Sequence, residues 1–179
     1  MRRDAGPQAA GPAVAAVAGS DLVSELYRAH ALGLVRLALM LVGDRASAED
    51  VVQDAFFGLY RALPRLQGPD KALPYLRTSV VNGSRTLLRD RRRAWLRPPV
   101  HEPPVWSAEA AVMASDEQRA VLAAVALLPR RSREVLALRY YCDLPEQQIA
   151  GMLGISRGTV SSTISRALAA LARELKEER

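Results

Sequence analysis

Residues Asp143 to Leu168 read DLPEQQIAGMLGISRGTVSSTISRAL. The stretch predicts two short helices joined by a tight bend. Gly154 supplies the bend, because glycine adopts a left-handed backbone conformation without steric cost. Asp143 and Glu146 have the spacing of a capping box for the first helix, and Ser156 is a good N-cap for the second. We therefore expect two helices that cross closely at one small corner.

The second helix of this pair has an apolar face and a small polar face. Its apolar residues recur at the spacing of one side of a helix, and they are Val160, Ile164, Leu168, Leu171 and Leu175. The other face carries hydroxyls and arginines, namely Arg157, Thr159, Ser161, Ser162, Ser165 and Arg166. This is the pattern of a helix-turn-helix, whose second helix enters the DNA major groove. The alternative is an ordinary helical hairpin, but a polar surface with arginine favours DNA.

Composition indicates an all-α protein with a polyanionic partner. Only 5% of the 179 residues are aromatic, which is typical of helical domains with small, Leu-rich cores. The formal net charge of +6 favours nucleic acid as a partner. The single cysteine, Cys142, excludes an intramolecular disulfide and suits the reducing cytoplasm. His30 and His101 stand far apart without cysteine companions, so we expect no metal site and no cofactor.

Proline and glycine divide the chain into four parts. Residues 1–19 are interrupted by both residue types and are expected to form a disordered tail. Residues 20–94 and 116–179 have helical periodicity, whereas residues 95–115 contain four prolines and are expected to form a flexible linker. We therefore predict two small all-α domains joined by a Pro-rich tether, with no stretch long enough to span a membrane.

Three helices are predicted in the first domain. The first starts at Ser20 or Asp21 and ends near Val42, and the second opens with a capping box at residues 47–50 and ends near Leu63. The third extends from about Leu73 to Arg93. Helical spacing assigns to the core Leu22, Leu26, Leu34, Leu37 and Leu41, then Val52, Phe56, Leu59 and Leu63, then Leu73, Leu76, Val80, Gly83 and Leu87.

The second helix has another set of residues on one side. Asp50, Gln53, Asp54 and Phe57 follow each other at spacings of three, one and three, which places them on a shared face. A bulky aromatic beside two carboxylates and an amide, in a basic protein, indicates a surface that contacts another protein. The alternative is a solvated acidic face with Phe57 packed into the core.

The third helix ends in an arginine cluster. Between Arg85 and Arg97 there are six arginines and one aspartate. Basic side chains near a helix C-terminus are favoured by the helix dipole, but the dipole alone does not account for six arginines. A polyphosphate partner explains the excess better.

In this order, the features resemble a small alternative sigma factor of the extracytoplasmic-function group, within the sigma-70 family. Three stretches carry the resemblance, namely residues 48–57, residues 75–93 and residues 154–162. The resemblance implies a bacterial protein without catalytic activity that binds core RNA polymerase, recognises the minus-thirty-five and minus-ten promoter elements, and helps to melt DNA so that transcription starts. It also makes an anti-sigma factor a candidate partner.

The resemblance also assigns roles to individual residues. Asp50, Gln53, Asp54 and Phe57 would bind the clamp coiled coil of the largest polymerase subunit. The minus-ten element would be held by Arg77, Asn82, Arg85, Arg89, Arg91, Arg92 and Arg93, with a flipped-out base on Asn82. The minus-thirty-five element would be read by Arg157, Thr159, Ser161, Ser162, Ser165 and Arg166. Relatives often carry a basic residue where Ser161 and Thr163 stand, which implies a weaker grip on phosphate here.

The main alternative is a stand-alone helix-turn-helix regulator. Such a regulator would need a receiver or ligand-binding domain, and residues 21–93 show no alternating strands for one. An enzyme would need paired carboxylates in an apolar setting, a nucleophile beside a base, or a glycine-rich phosphate loop. The sequence shows none of these patterns.

Overall fold

The computed structural model describes residues 12–94 and 116–177, and within these ranges it contains helices and turns but no strand. The prediction of an all-α protein is therefore confirmed. The helices are α1 (Pro12–Val42), α2 (Arg45–Ala62), α3 (Ala72–Ala94), α4 (Asp116–Leu127), α5 (Arg130–Leu136), α6 (Glu146–Leu153) and α7 (Arg157–Glu177). Short 3-10 turns at Leu63–Arg65 and Pro69–Lys71 connect α2 to α3, and a π-helical turn, Ala137–Tyr141, follows α5.

Helices α1, α2 and α3 pack against one another and form the first helical unit. Their most buried side chains include Leu37, Leu59, Leu76 and Val80, as the helical spacing predicts. Gly83 permits the close approach of α2 and α3, because a Cβ atom there would lie 3.1 Å from Val51 Cγ1. Partial burial is found for the remaining predicted core leucines of this unit, namely Leu22, Leu26, Leu63, Leu73 and Leu87.

Two helix starts in the first unit differ from the prediction. Helix α1 begins at Pro12 rather than at Ser20 or Asp21, since proline is well suited to the first position of a helix. Helix α2 begins at Arg45, and its N-cap is Asp44, whose carboxylate accepts a hydrogen bond from the Ser47 backbone N–H. The predicted capping box at residues 47–50 is therefore wrong. Residues 12–19 of the predicted tail are part of α1, whereas residues 1–11 and 95–115 lie outside the described residues, so the linker boundaries stay predictions.

The last four helices form the second helical unit, in which α7 packs against α4, α5 and α6. Its core contains Val135, Leu138, Ile149 and Val160. Gly154 has a φ of 64° and lies in the left-handed region, which confirms the predicted bend. Ser156 caps α7 as predicted, because its Oγ accepts a hydrogen bond of 3.1 Å from the Thr159 N–H.

Other details of the second unit correct the sequence-based expectations. The capping box of Asp143 with Glu146 is absent, because Asp143 itself has a φ of 50° and α6 starts after Pro145.

The apolar face of α7 also differs in one position. Leu168 is 43% exposed, whereas Ala167 is 2% exposed and continues the buried row. Because an α-helix has 3.6 residues per turn, a row of residues at a strict spacing of four gradually turns away from the core. Within the described ranges, no helix is both long and apolar enough to cross a lipid bilayer.

Candidate nucleic-acid and protein-binding surfaces

The outer face of α2, here called the acidic face, presents all four predicted protein-contact residues to solvent. Asp50, Gln53, Asp54 and Phe57 are exposed, and the Phe57 side chain is 62% exposed. The alternative in which Phe57 packs into the core is therefore wrong. Tyr60, also 52% exposed, follows Phe57 by three residues and enlarges the aromatic part of this face. Sequence reasoning missed Tyr60, although the same spacing rule could have found it.

A groove between α2 and α3 borders this acidic face. It encloses a cavity of about 370 Å³, with Val51, Gly83 and Leu87 among its apolar lining residues. Asp50 and Asp54 from α2 and Asp90 from α3 add carboxylates to the same lining. The acidic face is thus continuous with a negatively charged groove, although the whole chain carries a net positive charge. Its chemistry suits a basic side chain of a partner protein.

The arginine cluster at the end of α3 is only partly free. Arg89, Arg92 and Arg93 are exposed on the helix surface. Arg91 instead donates to Asp44 across 2.8 Å and also to the Ser47 hydroxyl, which fastens the end of α3 to the start of α2. Arg91 therefore already has intramolecular partners, and Arg89 Nε also lies 3.6 Å from Asp90 Oδ1.

These contacts lower the pKa of the Asp44 carboxyl group. Partial burial raises the pKa of its carboxyl group, but hydrogen bonds from the Ser47 backbone and side chain and from Arg91 outweigh burial. The pKa of Asp44 is therefore held below its ordinary value of 3.8. The carboxylate remains charged at neutral pH and serves both as a helix cap and as an ion-pair partner.

Arg85 and Asn82 occupy the middle of α3. Asn82 is exposed, and its amide oxygen accepts a hydrogen bond of 3.4 Å from Arg85. Arg85 also donates two hydrogen bonds, of 2.8 and 2.7 Å, to the two carboxylate oxygens of Glu134 on α5. This bidentate contact raises the pKa of the Arg85 guanidinium. Local sequence patterns do not indicate this pairing, because 49 residues separate the partners.

Arg77 also lies at the junction between the two units. Burial raises the pKa of the Cys142 thiol, and the positive charge of Arg77 opposes this shift. Cys142 is partly buried. Of the seven residues predicted for the minus-ten element, Arg85 therefore pairs with the second unit, and the charge of Arg77 acts on Cys142 there.

The outer face of α7 presents every residue predicted to enter the DNA groove. Exposure is found for Arg157, Thr159, Ser161, Ser162, Ser165 and Arg166. Several of these side chains are held against the helix, since Ser165 Oγ donates to the Ser161 carbonyl and Arg166 Nε donates to the Ser162 carbonyl. Arg157 Nε donates to Glu146 across 3.3 Å, which joins the two helices of the turn.

Thr163 does not belong to this outer face. It is only 6% exposed, and its hydroxyl donates to the Thr159 carbonyl across 2.7 Å. A basic residue at this position would therefore have to leave the core before it could contact phosphate. The expected loss of phosphate contacts concerns Ser161 alone.

Two family models match the chain. Sigma-70 region 2 matches residues 26–94, which coincide with the first helical unit. Sigma-70, region 4 matches residues 118–171, which include the helix-turn-helix. Together the two models cover more than half of the sequence.

Curated relatives extend the match over most of the chain. The ECF RNA polymerase sigma factor SigL of Mycobacterium tuberculosis is 34% identical over 168 residues, which are 91% of this chain and 94% of the relative. The RNA polymerase sigma-E factor of Streptomyces antibioticus is 34% identical over 159 residues, covering 85% and 83% of the two chains. The probable RNA polymerase sigma factor RfaY of Xanthomonas campestris is 36% identical over 78% of this chain, but this chain spans only 36% of its length.

Solved structures share the fold. CnrH, in complex with the cytosolic domain of CnrY, has a TM-score of 0.68 and 27% identity, with coverage of 93% of this chain and 96% of CnrH. The sigma factor RpoE of Bartonella quintana, in complex with the anti-sigma factor NepR, has a TM-score of 0.70 and 24% identity, with coverage of 89% and 99%.

Proposed function

This chain belongs to the sigma-70 family, as an alternative sigma factor of the extracytoplasmic-function group, and from this premise we propose how its surfaces divide the work of starting transcription. Members of the family are initiation factors that regulate transcription rather than catalysts in the usual sense. We propose that this chain has no catalytic activity of its own and acts in the cytoplasm, where its polymerase works.

The acidic face of α2 is the proposed docking surface for core RNA polymerase. The observation that supports it best is the exposure of Phe57, at 62%, on the same helix face as Asp50 and Asp54 in a protein with a net charge of +6. An exposed phenyl ring costs free energy in water, and a partner that covers it recovers that cost. The clamp coiled coil of the largest subunit is the proposed partner, with its basic side chains on Asp50 and Asp54.

Helix α3 is the proposed surface for the minus-ten element. Asn82 is exposed and offers an amide, which can both donate to and accept from the edge of an unpaired base. Extruding one base costs a few kcal/mol, and phosphate contacts from Arg89, Arg92 and Arg93 at the end of the same helix offset that cost. Opening of the promoter is then driven by binding free energy alone.

Helix α7 is the proposed reader of the minus-thirty-five element. Its outer face combines short hydroxyl side chains, which let the helix approach the base edges closely, with Arg166, which is long enough to reach a guanine or a phosphate. Arg157 at the helix start is the proposed phosphate contact. Residues 95–115 would connect the two units along the path of the nascent RNA.

An anti-sigma factor is a further proposed partner. CnrH is seen in complex with the cytosolic domain of CnrY, and the Bartonella quintana RpoE is seen in complex with the anti-sigma factor NepR. The other function considered from sequence, a stand-alone helix-turn-helix regulator, is not favoured. Residues 26–94, where such a regulator would carry its sensing domain, match Sigma-70 region 2 instead.

The substitution Asp54→Arg tests the docking surface. Reversing this exposed charge should abolish binding to core polymerase, because it opposes the basic clamp surface and leaves the core of the first unit untouched. The measurement is co-purification of the variant with core polymerase, with circular dichroism to confirm the fold. Asp70→Arg is the matched control, since Asp70 is a solvent-exposed residue of the Pro69–Lys71 turn. Normal polymerase binding by Asp54→Arg would exclude this docking surface.

A further inference from the structure

Arg166 lies on the outer face of α7 with its side chain folded back along the helix. Its Nε donates a hydrogen bond of 3.1 Å to the Ser162 carbonyl oxygen, and its Nη2 donates one of 3.4 Å to the Ser162 hydroxyl. Because Ser162 precedes Arg166 by four residues, the guanidinium lies over the turn on the N-terminal side of its own Cα atom. The N-terminal part of a recognition helix is the part that contacts base edges. Ser162 therefore holds the guanidinium towards the base-reading part of α7.

The Ser162 hydroxyl is itself held in one orientation. It donates a hydrogen bond of 3.2 Å to the Thr159 carbonyl, so its proton is in use and its lone pairs accept from Arg166. The same carbonyl accepts a hydrogen bond of 2.7 Å from Thr163, which is only 6% exposed. The contacts that lead from Thr159 through Ser162 to Arg166 thus begin beside a residue that is packed in the second unit.

The two contacts with Ser162 occupy one edge of the guanidinium. Nε and Nη2 form the side edge, and both donate to oxygen atoms of Ser162. The remaining N–H groups, on Nη1 and Nη2, include the two parallel donors of the end edge. Two parallel donors match the O6 and N7 acceptors of guanine in the major groove. Arg166 therefore keeps one bidentate edge for a base, in a direction that Ser162 restricts.

Arg166 differs in this respect from Arg157 at the start of the same helix. Arg157 Nε lies 3.3 Å from a carboxylate oxygen of Glu146, which partly offsets its positive charge. The two oxygens of Ser162 that hold Arg166 are uncharged, so the charge of its guanidinium remains available to DNA. Restricting a long side chain before it binds reduces the entropy that binding costs. Ser162 supplies this restriction without neutralising the arginine.

We propose that Ser162 is a positioning residue for Arg166, and that it directs the end edge of the guanidinium at one guanine of the minus-thirty-five element rather than at a phosphate. This inference rests on the proposed function, because it takes α7 as the reader of that element. A guanidinium without Ser162 rotates among neighbouring acceptors, including phosphates, which carry no sequence information. Ser162 thus determines how strictly the element is read, and not how tightly α7 holds the DNA backbone.

Base analogues test this contact one atom at a time. The probe is a labelled double-stranded promoter fragment from a start site that the chain directs, bound by the complex of the full chain with core polymerase. Each guanine of the upstream element is replaced in turn by 7-deazaguanine, which lacks the N7 acceptor. Hypoxanthine is the matched control base, because it keeps N7 and O6 and lacks only the minor-groove amine. The dissociation constant is measured for every substituted probe.

The penalty for losing N7 should depend on both residues. With the unaltered chain, 7-deazaguanine at one position should weaken binding about tenfold, whereas hypoxanthine at that position should not. Arg166→Ala should lose this penalty. Ser162→Ala should reduce it to about threefold, because the arginine is less restricted but still bonds the backbone carbonyl. Ser162→Thr should restore it, since a threonine hydroxyl also bonds a preceding carbonyl in a helix.

Two further measurements separate positioning from a general loss of structure. The salt dependence of binding should not become weaker in Ser162→Ala, because no phosphate contact is lost. Ser24→Ala is the control variant and should keep the full penalty, since Ser24 is an exposed serine of α1 outside the proposed surfaces. The inference is overturned if Ser162→Ala keeps the full 7-deazaguanine penalty or weakens binding to every probe equally. It is also overturned if no guanine position shows a penalty that depends on Arg166.

The same experiment distinguishes failure of this inference from failure of the proposed function. If the unaltered chain with core polymerase protects no upstream element on any promoter fragment, the proposed function fails and the inference fails with it. If the element is protected but its 7-deazaguanine penalty does not depend on Ser162, only the inference fails.

Discussion

At the scale of single residues, Asp44 shows how one side chain can have two structural roles. Its carboxylate caps α2 through the Ser47 N–H at 2.9 Å and pairs with Arg91 of α3 at 2.8 Å. The pair is partly exposed, at 40% for Arg91 and 35% for Asp44, so solvent screening reduces its contribution. Most of the stabilisation from Asp44 should therefore come from the cap.

Substituting Asp44 separates the two roles. Asp44→Ala loses both and should lower the free energy of unfolding by about 1–2 kcal/mol. Asp44→Asn keeps the cap, because Asn is as good an N-cap as Asp, and should lose less than about 1 kcal/mol through the ion pair. Urea denaturation at neutral pH measures both values. Equal losses in the two variants would show that the cap contributes nothing.

The pKa of Asp44 also predicts a dependence on pH. Its folded-state pKa is held below the ordinary value of 3.8, so the folded state favours the charged form. The stabilisation is present above that ordinary value and is lost as pH falls through the folded pKa. Stability of the unaltered chain should therefore decline more steeply than that of Asp44→Asn when pH drops below 3.8. Parallel declines in the urea midpoint would contradict this.

Residue-level prediction from sequence succeeded where a single helix decides the outcome. The exposure of Asp54 and the left-handed Gly154 follow from spacing and backbone preference alone, whereas spacing left open whether Phe57 packs into the core. Glu134 could not be found this way, because its burial depends on arginines of its own helix and on Arg85 from a distant one. Charged residues are rarely buried, so the sequence favours an exposed Glu134.

At the scale of helices, faces were predictable but ends were not. The inward rows of α2 and α3 follow the helical period, which many residues determine jointly. The start of a helix depends on one or two residues, and several residues near each start are acceptable caps. Asp44 and Ser47 are both good N-caps, and the contact of Asp44 with Arg91 favours the earlier position. That contact comes from another helix and is invisible in local sequence.

The recognition helix α7 offers a test at this scale. Arg166→Ala should weaken binding of the polymerase complex to a cognate promoter by about 1–3 kcal/mol, because it removes a contact within the groove. Arg173→Ala is the control, since Arg173 is an exposed arginine of the same helix outside the proposed surface. Footprinting across the upstream element measures the effect. Equal protection by the two variants would exclude α7 as the reader of that element.

At the scale of the whole molecule, the chain has two helical units that make contact through α3, α1, α5 and the π-helical turn. The sequence predicted two domains and a tether but not their contact, because a Pro-rich connection does not specify how its ends pack.

The central claim is that this chain directs core RNA polymerase to promoters. The most direct measurement is run-off transcription from a library of genomic promoter fragments, with core polymerase alone and with the chain added. We expect new start sites that appear only with the chain, share two upstream elements, and disappear with Asp54→Arg. The same start sites at the same levels with and without the chain would contradict it.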